Sequence, residues 1–386
     1  MGRQRFPWPV SDRHERLVRT AEEFANEQII PAADRADECR EFNSDLQNAF
    51  LETGLTREFL DPQPGEEFAT VAASVTEVLA YGCAAHASYL MLPLFFNRVV
   101  IGSLPPGESA AFKEECLRRP VVTAFAATER ESGSDLLAMS VKAERHDGGY
   151  RLSGRKEYSS NLGQAEVVAV VARTSDEERG KNSHTWFLVQ TDSPGVEVGE
   201  RWSTFGLRAL HVNPLDLDGA FVPDHRRLGA EGDGISLMVK HLNESRTGIA
   251  ALGVGMARRA RDLVIDFSRR RVVFGEKLTK QQDYRFRIAE MERDIAAARA
   301  LIYTATLRME AGEDATREAS LAKWFAGEMV MRITTEASAM LGSIGYTMQT
   351  PVEKLIRDAR HVAIVEGSAP IHKELVFAHV LRHGGS

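Results

Sequence analysis

Along the first hundred residues the apolar positions recur at helical spacing. Leu17, Ala21, Phe24 and Ala25 share one face, and Ile29 and Ile30 complete it before Pro31, whose ring and missing N–H stop a helix. Val71, Val75, Val78 and Leu79 make a second such face, and the segment from Ala84 to Val100 is apolar almost throughout. The texture changes near Pro120. Val121 to Ala127 reads as a buried run, Tyr150-Arg151-Leu152-Ser153-Gly154 alternates, Val167 to Ala172 is rich in β-branched residues, and Trp186-Phe187-Leu188-Val189 follows a polar turn. Turns at Asp147-Gly148-Gly149 and Ser193-Pro194-Gly195 separate these runs, so an all-β unit ending near Val222-Pro223 is expected. After Gly234 the helical period returns through Leu237, Val239, Leu242, Ile249, Leu252 and Val254. Ala289 to Leu307 and Ala319 to Leu341 then read as long Ala-rich helices with charged outer faces. The expected layout is α+β in three units: a helical one over 1–119, a β one over 120–230 and a helical one over 231–386. No internal repeat or low-complexity linker interrupts it.

Composition narrows the function. The 386 residues are 43% hydrophobic and 27% charged, ordinary for a soluble globular chain of two or three packed units. With 48 basic against 55 acidic side chains the formal charge is −7, and the basic residues are dispersed, so no electropositive surface for nucleic acid is expected. The start, Met1 to Pro9, lacks the apolar core of a signal peptide, and Phe6 fails the myristoylation pattern. No stretch is read as a membrane span of about 18 apolar residues. Cys39, Cys83 and Cys116 are odd in number and widely spaced, which argues against a disulfide framework or a zinc site and for the reducing cytoplasm.

Several separated segments carry candidate chemistry. Thr128-Glu129-Arg130-Glu131-Ser132-Gly133-Ser134-Asp135 follows a strand, so its backbone N–H groups can meet a planar ring or a phosphate. Lys156-Glu157-Tyr158-Ser159-Ser160-Asn161 sits on the next strand. Arg271-Val272-Val273-Phe274-Gly275 places a guanidinium, suited to a bidentate grip on phosphate, beside what reads as a helix-ending Phe-Gly, with Gln281 and Gln282 close behind. Leu341-Gly342-Ser343-Ile344-Gly345-Tyr346 ends a long helix, and Ile364-Val365-Glu366-Gly367-Ser368 puts a carboxylate at the end of an apolar run. Each segment alone would read as a cap, turn or helix end. In this order and at these separations they resemble the acyl-CoA dehydrogenase family of flavoproteins, from about Ala21 to Leu381.

The resemblance implies an N-terminal helical domain, a central β-domain and a C-terminal four-helix bundle, with non-covalent FAD. It gives Thr128 and the neighbouring backbone to the flavin pyrimidine edge, and Ser134 to the acyl-CoA ligand and flavin phosphates. It gives Tyr158 and Ser160 to the isoalloxazine and its N5, and Arg271, Phe274, Gln282 and Gly342 to the FAD of a neighbouring subunit, hence a dimer or tetramer. Ser368 stands where the family carries a cofactor-contacting Thr. Leu242-Asn243-Glu244-Ser245-Arg246 matches the family's L-D-x-x-R, so Asn243 and Arg246 would hold the thioester arm. Glu366 would be the base that removes the Cα proton as hydride leaves Cβ for the flavin. Its backbone N–H would steady the thioester oxygen, and Val365 and Gly367 would line the acyl end. Ser245 fills the slot where a minority of the family places its base, which leaves Glu366 and, less directly, Glu244.

Departures from the pattern sharpen the expectation. Arg130-Glu131-Ser132 replaces Pro-Gly-Ala, Ala339 replaces a Gln and Ser343 a Gly in the Q-x-x-G-G strip, Asn243 replaces Asp, and Val365 replaces an aromatic. The N-terminal part is also short around Asp61-Pro62-Gln63-Pro64-Gly65 and Leu104-Pro105-Pro106-Gly107. The expected activity is dehydrogenation of a short, branched or functionalised acyl thioester on CoA or an acyl carrier protein. Electrons would pass to an electron-transfer flavoprotein or similar acceptor, in a pathway such as polyketide precursor supply. Two alternatives stay open: a flavin monooxygenase on the same scaffold, and a catalytically silent flavin-binding subunit. No metal is expected.

Overall fold

A computed structural model describes residues 10–43, 45–62, 67–175, 177 and 180–384. The readings on Met1 to Pro9 and on Gln63-Pro64-Gly65 lie outside the described residues.

Helices come first. Ser11 caps α1 (Asp12–Phe24) by accepting from the His14 N–H, with Asp12 and Glu15 in the first turn where the helix dipole favours acids. One π turn over Ala25–Ile29 carries the chain to Pro31. The short α2 (Ala33–Cys39), α3 (Leu46–Glu52) and α4 (Leu55–Leu60) lead to α5 (Phe68–Gly82), α6 (Ala84–Ser103) and α7 (Pro106–Arg118). At 20 residues α6 is long and apolar enough to cross a membrane, contrary to the sequence expectation, but 83% of its apolar window is buried inside the protein.

The sheet follows: β1 (Thr123–Ala126), β2 (Lys142–His146), β3 (Gly149–Ser160), β4 (Val167–Arg173), β5 (His184–Gln190), β6 (Val196–Val198), β7 (Val212–Pro223) and β8 (Arg227–Leu228). Its order is β6–β7–β3–β2–β4–β5–β8, with β1 parallel to β4. In β4, Val168 and Val170 point into a core enclosed by the sheet. Val167, Ala169 and Val171 point the other way, into the helices. This two-sided burial is why β4 reads as a continuous apolar run.

From Gly234 the chain is helical again: α8 (Gly234–Arg270), α9 (Gln282–Glu310), α10 (Thr316–Leu341), α11 (Val352–Ile364) and α12 (Ala369–His383). Between α8 and α9 stands a hairpin, β9 (Val272–Val273) and β10 (Glu276–Lys277). Helix α5 crosses α8 at Gly255, where a Cβ would lie 2.4 Å from the Glu77 carbonyl oxygen. The two helical regions therefore share one apolar core, in which Val75 and Leu79 join Leu252, Val254, Ala326 and Val330.

Candidate active site

Glu366 lies in the short connection between α11 and α12. Its φ of 59° is followed by 109° at Gly367. A left-handed non-glycine residue costs about 1–3 kcal/mol and persists only where its surroundings enforce it. Three donors do so here. Arg246 Nε donates to the Glu366 carbonyl at 3.2 Å, Lys323 Nζ to the Gly367 carbonyl at 2.7 Å, and His372 Nε2 is 2.9 Å from that same oxygen. A Cβ at Gly367 would crowd His372 Nε2 at 3.2 Å, and the φ of 109° is one that side chains rarely adopt, so both favour glycine here. The carboxylate accepts from Ser245 Oγ at 3.0 Å. Burial raises its pKa, while the Ser245 hydrogen bond and the charges of Arg246 and Lys323 act against the rise without cancelling it. The Glu366 N–H has no acceptor among the described residues. Ser368 starts α12 with its hydroxyl uncommitted, and Val365 packs against the main core.

The contact from Ser245 shows that the two slots compared in the sequence face one point. Glu244, one residue earlier on α8, turns about 100° away. Its carboxylate lies 3.8 Å from Arg98, whose guanidinium covers the Phe68 ring. Asn243 faces the start of α10, where Nδ2 donates to Thr316 Oγ1 at 3.0 Å and Oδ1 is buried without a partner. Asn243 is thus partly committed to helix packing, and Arg246 is committed to the turn that carries Glu366.

The ends of β1 and β3 form a shelf. Thr128 ends the run after β1, and its carbonyl accepts from the Glu157 N–H at 2.8 Å. Tyr158, at φ 49°, sits where the β3–β7 register shifts between Lys156 and Ser159. Its ring is 60% exposed and lies 5.6 Å from that of Trp202. Ser160 follows, and Ser134 lies exposed on the 129–135 loop. None of the hydroxyls of Thr128, Ser134, Ser160 and Ser368 has a hydrogen-bond partner among the described residues. Free hydroxyls beside an open aromatic ring suit a flat heteroaromatic cofactor with polar edges. The altered loop keeps a compact form: Glu129 and Ser132 exchange backbone hydrogen bonds across a two-residue turn, and Ser132 Oγ donates to the Asp135 carbonyl at 2.7 Å. Arg130 and Glu131 point to solvent.

Beneath the shelf lies a buried pair that sequence reasoning missed. Lys156 Nζ donates to Glu129 Oε1 at 2.7 Å and to the Ala127 carbonyl at 2.9 Å. Glu129 also accepts from the N–H and hydroxyl of Ser140 and from the Val141 N–H. Burial pushes the Glu129 pKa up, but the Lys156 charge and these hydrogen bonds outweigh it and hold the group below its ordinary value. The pair fixes both flanks of the shelf. Its signal was a Lys at an inward register of β3; likewise Lys323 stands in the buried stripe Ala319, Ala322, Ala326 and Val330 of α10.

The other expected cofactor residues are elsewhere. Arg271 is the C-cap of α8, about 38 Å from Arg246 at the rise of a helix. Phe274 does not end a helix as expected. With Gly275 it forms the turn of the β9–β10 hairpin, both at positive φ, and its side chain is 96% exposed. Gln282 opens α9, and Tyr284 donates to the Met340 carbonyl at 2.6 Å, which brings this end beside Gly342 at the close of α10. Arg271, Phe274, Gln282 and Gly342 thus form a second group, remote from Glu366 within one protomer. Among the described residues no cluster of three or more His, Cys, Asp or Glu side chains could hold a metal ion.

Two family models match the chain, the acyl-CoA dehydrogenase middle domain over residues 124–220 and the acyl-CoA dehydrogenase C-terminal domain over residues 232–381. This chain belongs to the acyl-CoA dehydrogenase family. It is an FAD-dependent oxidoreductase of that family. It is 32% identical over 375 residues to the cyclohexane-1-carbonyl-CoA dehydrogenase of Geobacter metallireducens, covering 95% of this chain and 97% of the relative. The 3-(aryl)acrylate reductase of Clostridium sporogenes is 29% identical, with 96% of this chain and 99% of the relative covered. Among solved structures, the butyryl-CoA dehydrogenase of Megasphaera elsdenii superposes with a TM-score of 0.93 at 26% identity, covering 98% of this chain and all of that one. The expected fold, helical domain, central sheet region and helical domain, is the fold of the family.

Proposed function

We propose that this family member is an acyl-thioester dehydrogenase in which Glu366 removes the Cα proton as a 2,3-double bond forms. Bound FAD supplies the acceptor for the Cβ hydride. The observation that carries this reading is the Glu366 carboxylate itself: half-buried, raised in pKa toward that of an activated Cα–H, and aimed by Ser245 from an enforced turn. A base so matched contributes about 10²- to 10⁴-fold in rate. Its uncommitted N–H is free to donate to the thioester oxygen as charge develops there. Thr128, Ser134, Tyr158, Ser160 and Ser368 hold and orient the near end of the cofactor, with Lys156 and Glu129 fixing the shelf below them. Val365 and Gly367 border the acyl end.

The remote group of Arg271, Phe274, Gln282 and Gly342 serves the far end of a cofactor bound by a second copy, as the family resemblance implies, and its separation from Arg246 along α8 supports that reading. A homodimer or a dimer of dimers follows. The substrate is a short, branched, alicyclic or functionalised acyl group on CoA or an acyl carrier protein, since Val365 leaves space where an aromatic would stand. The cyclohexane-1-carbonyl-CoA dehydrogenase relative supports an acyl group of that shape. Electrons leave to an electron-transfer flavoprotein or an equivalent acceptor.

The test is anaerobic mixing of the yellow holoprotein with branched, alicyclic and straight-chain acyl thioesters. Flavin bleaching by the first two, faster than by the third, with a 2,3-unsaturated product, is expected. Bleaching by none of them, or turnover only with oxygen and an oxygenated product, would replace the dehydrogenase with one of the other flavoprotein readings.

A further inference from the structure

The Glu366–Gly367 turn is held by groups that the reaction itself does not need. Lys323, 1% exposed, reaches from α10 to the Gly367 carbonyl. That oxygen also meets His372 Nε2 from α12, while His372 Nδ1 is buried without a partner, which makes Nε2 the protonated nitrogen and the ring neutral. Every element packed on the turn contributes charged or titratable groups: Arg246 from α8, Lys323 from α10, His361 from α11 and His372 from α12. Both imidazoles are kept neutral by burial, with pKa values pushed down to about 4 and about 3. Arg246 is committed to the Glu366 carbonyl side of the turn. Lys323 thus grips the turn from α10 as Arg246 does from α8, and its charge acts with that of Arg246 on the Glu366 carboxyl, but unlike Arg246 it matches no position expected to touch the substrate.

We infer that Lys323 is a positioning residue, whose buried ammonium locks the left-handed Glu366–Gly367 turn through the Gly367 carbonyl and stabilises the ionised form of the Glu366 base. Burial holds Lys323 down to about 8, so it keeps its proton at neutral pH and its charge opposes the upward push that burial exerts on Glu366. Without it, the carboxyl gives up its proton at higher pH, so a smaller share of the base is ionised at any pH below that point. The inference rests on Glu366 being the base, as proposed above.

The experiment compares Lys323→Met, Lys323→Arg and Glu366→Gln, each purified with FAD, by stopped-flow flavin reduction across pH. Lys323→Met should shift the midpoint of the reduction profile upward by about a unit or more, lowering the rate about tenfold for each unit at pH below both midpoints. Most of the loss should disappear at high pH. Lys323→Arg, which keeps charge and donor, should restore the midpoint. A second readout needs no turnover: the pH dependence of thermal unfolding of the FAD-loaded proteins. A carboxyl whose folded pKa is raised contributes stability below its unfolded pKa and loses it as pH rises through the folded value. Lys323→Met should therefore lose stability more steeply than the parent as pH rises above 4.5, the ordinary Glu value, and the added slope should vanish on a Glu366→Gln background. A loss of rate in equal proportion at every pH, with no added slope, would reduce Lys323 to a packing role and overturn the inference. Unimpaired reduction by Glu366→Gln would instead defeat the assignment of the base, so the two failures are distinguishable.

Discussion

Removing the ammonium from the buried pair beneath the shelf is a severe perturbation that the surface would not reveal. In Lys156→Met the carboxylate of Glu129 keeps its three contacts to Ser140 and Val141 but loses its counter-charge, in a site where Lys156 is 0% and Glu129 6% exposed. Breaking a buried pair from one side costs about 3–5 kcal/mol, because an uncompensated charge stays behind. With 386 residues and about 2.1 cal/mol/K of unfolding entropy for each, the midpoint of thermal unfolding should fall by about 4–6 °C. The pH dependence gives a sharper check. In the parent, Glu129 sits below its ordinary pKa, so its contribution is present at neutral pH and is lost as pH falls through the folded value, below 4.5. In Lys156→Met burial acts on Glu129 with no opposing cation, its pKa rises, and the gap to the parent should narrow steadily as the buffer is taken from about pH 7 to about pH 4.5. Glu129→Gln with Lys156→Met, which leaves no buried charge, should be more stable than Lys156→Met alone at neutral pH. Differential scanning calorimetry on the three proteins decides it. A gap that does not change with pH, or a double variant less stable than the single one, would refute the claim that an unpaired charge is the cause.

Phe274→Asp should convert the proposed dimer or tetramer to a 42.7 kDa protomer by light scattering and lose FAD during gel filtration, because a 96% exposed aromatic at a hairpin tip is expected to be covered by a second copy; a parent protein that already runs as a monomer with full flavin would contradict this. Val365→Tyr should narrow the acyl range toward straight chains, with a change in discrimination of about 1–3 kcal/mol read as the ratio of kcat/KM values; an unchanged ratio would place Val365 outside the acyl pocket.

The order of helices, sheet and helices was legible in the chain because each element buries a face, and buried faces show as periods of 3.6 or 2. Which faces meet was not legible. Val75 on α5 and Leu252 on α8 both belong to apolar stripes, but neither stripe says that the two helices cross, which depends on Gly255 admitting the Glu77 carbonyl. The β9–β10 hairpin was missed because Phe274 takes a left-handed conformation that its residue type disfavours, leaving Gly275 as its single turn signal. Length and apolarity alone would suit α6 to a membrane; the burial of most of its surface against the rest of the chain makes it a core helix instead. In the candidate site, motif order singled out the segment that carries Glu366, whereas Lys156 and Lys323 were hidden in apolar stripes where a charge reads as an interruption. In the sequence Arg246 reads as a substrate contact, and its bond to the Glu366 carbonyl gives it a structural task that only three-dimensional proximity reveals.

The central claim is that one carboxylate, Glu366, takes the proton. Its most direct test is the rate of anaerobic flavin reduction by an accepted acyl thioester in Glu366→Gln beside Glu244→Gln, with flavin content and unfolding midpoint measured on both. Glu366→Gln should retain FAD and fold and lose reduction by about 10²-fold or more, the scale of a general base, while Glu244→Gln, whose carboxylate faces Arg98, should reduce at close to the parent rate. Full reduction in Glu366→Gln, or its loss in Glu244→Gln alone, would contradict the account.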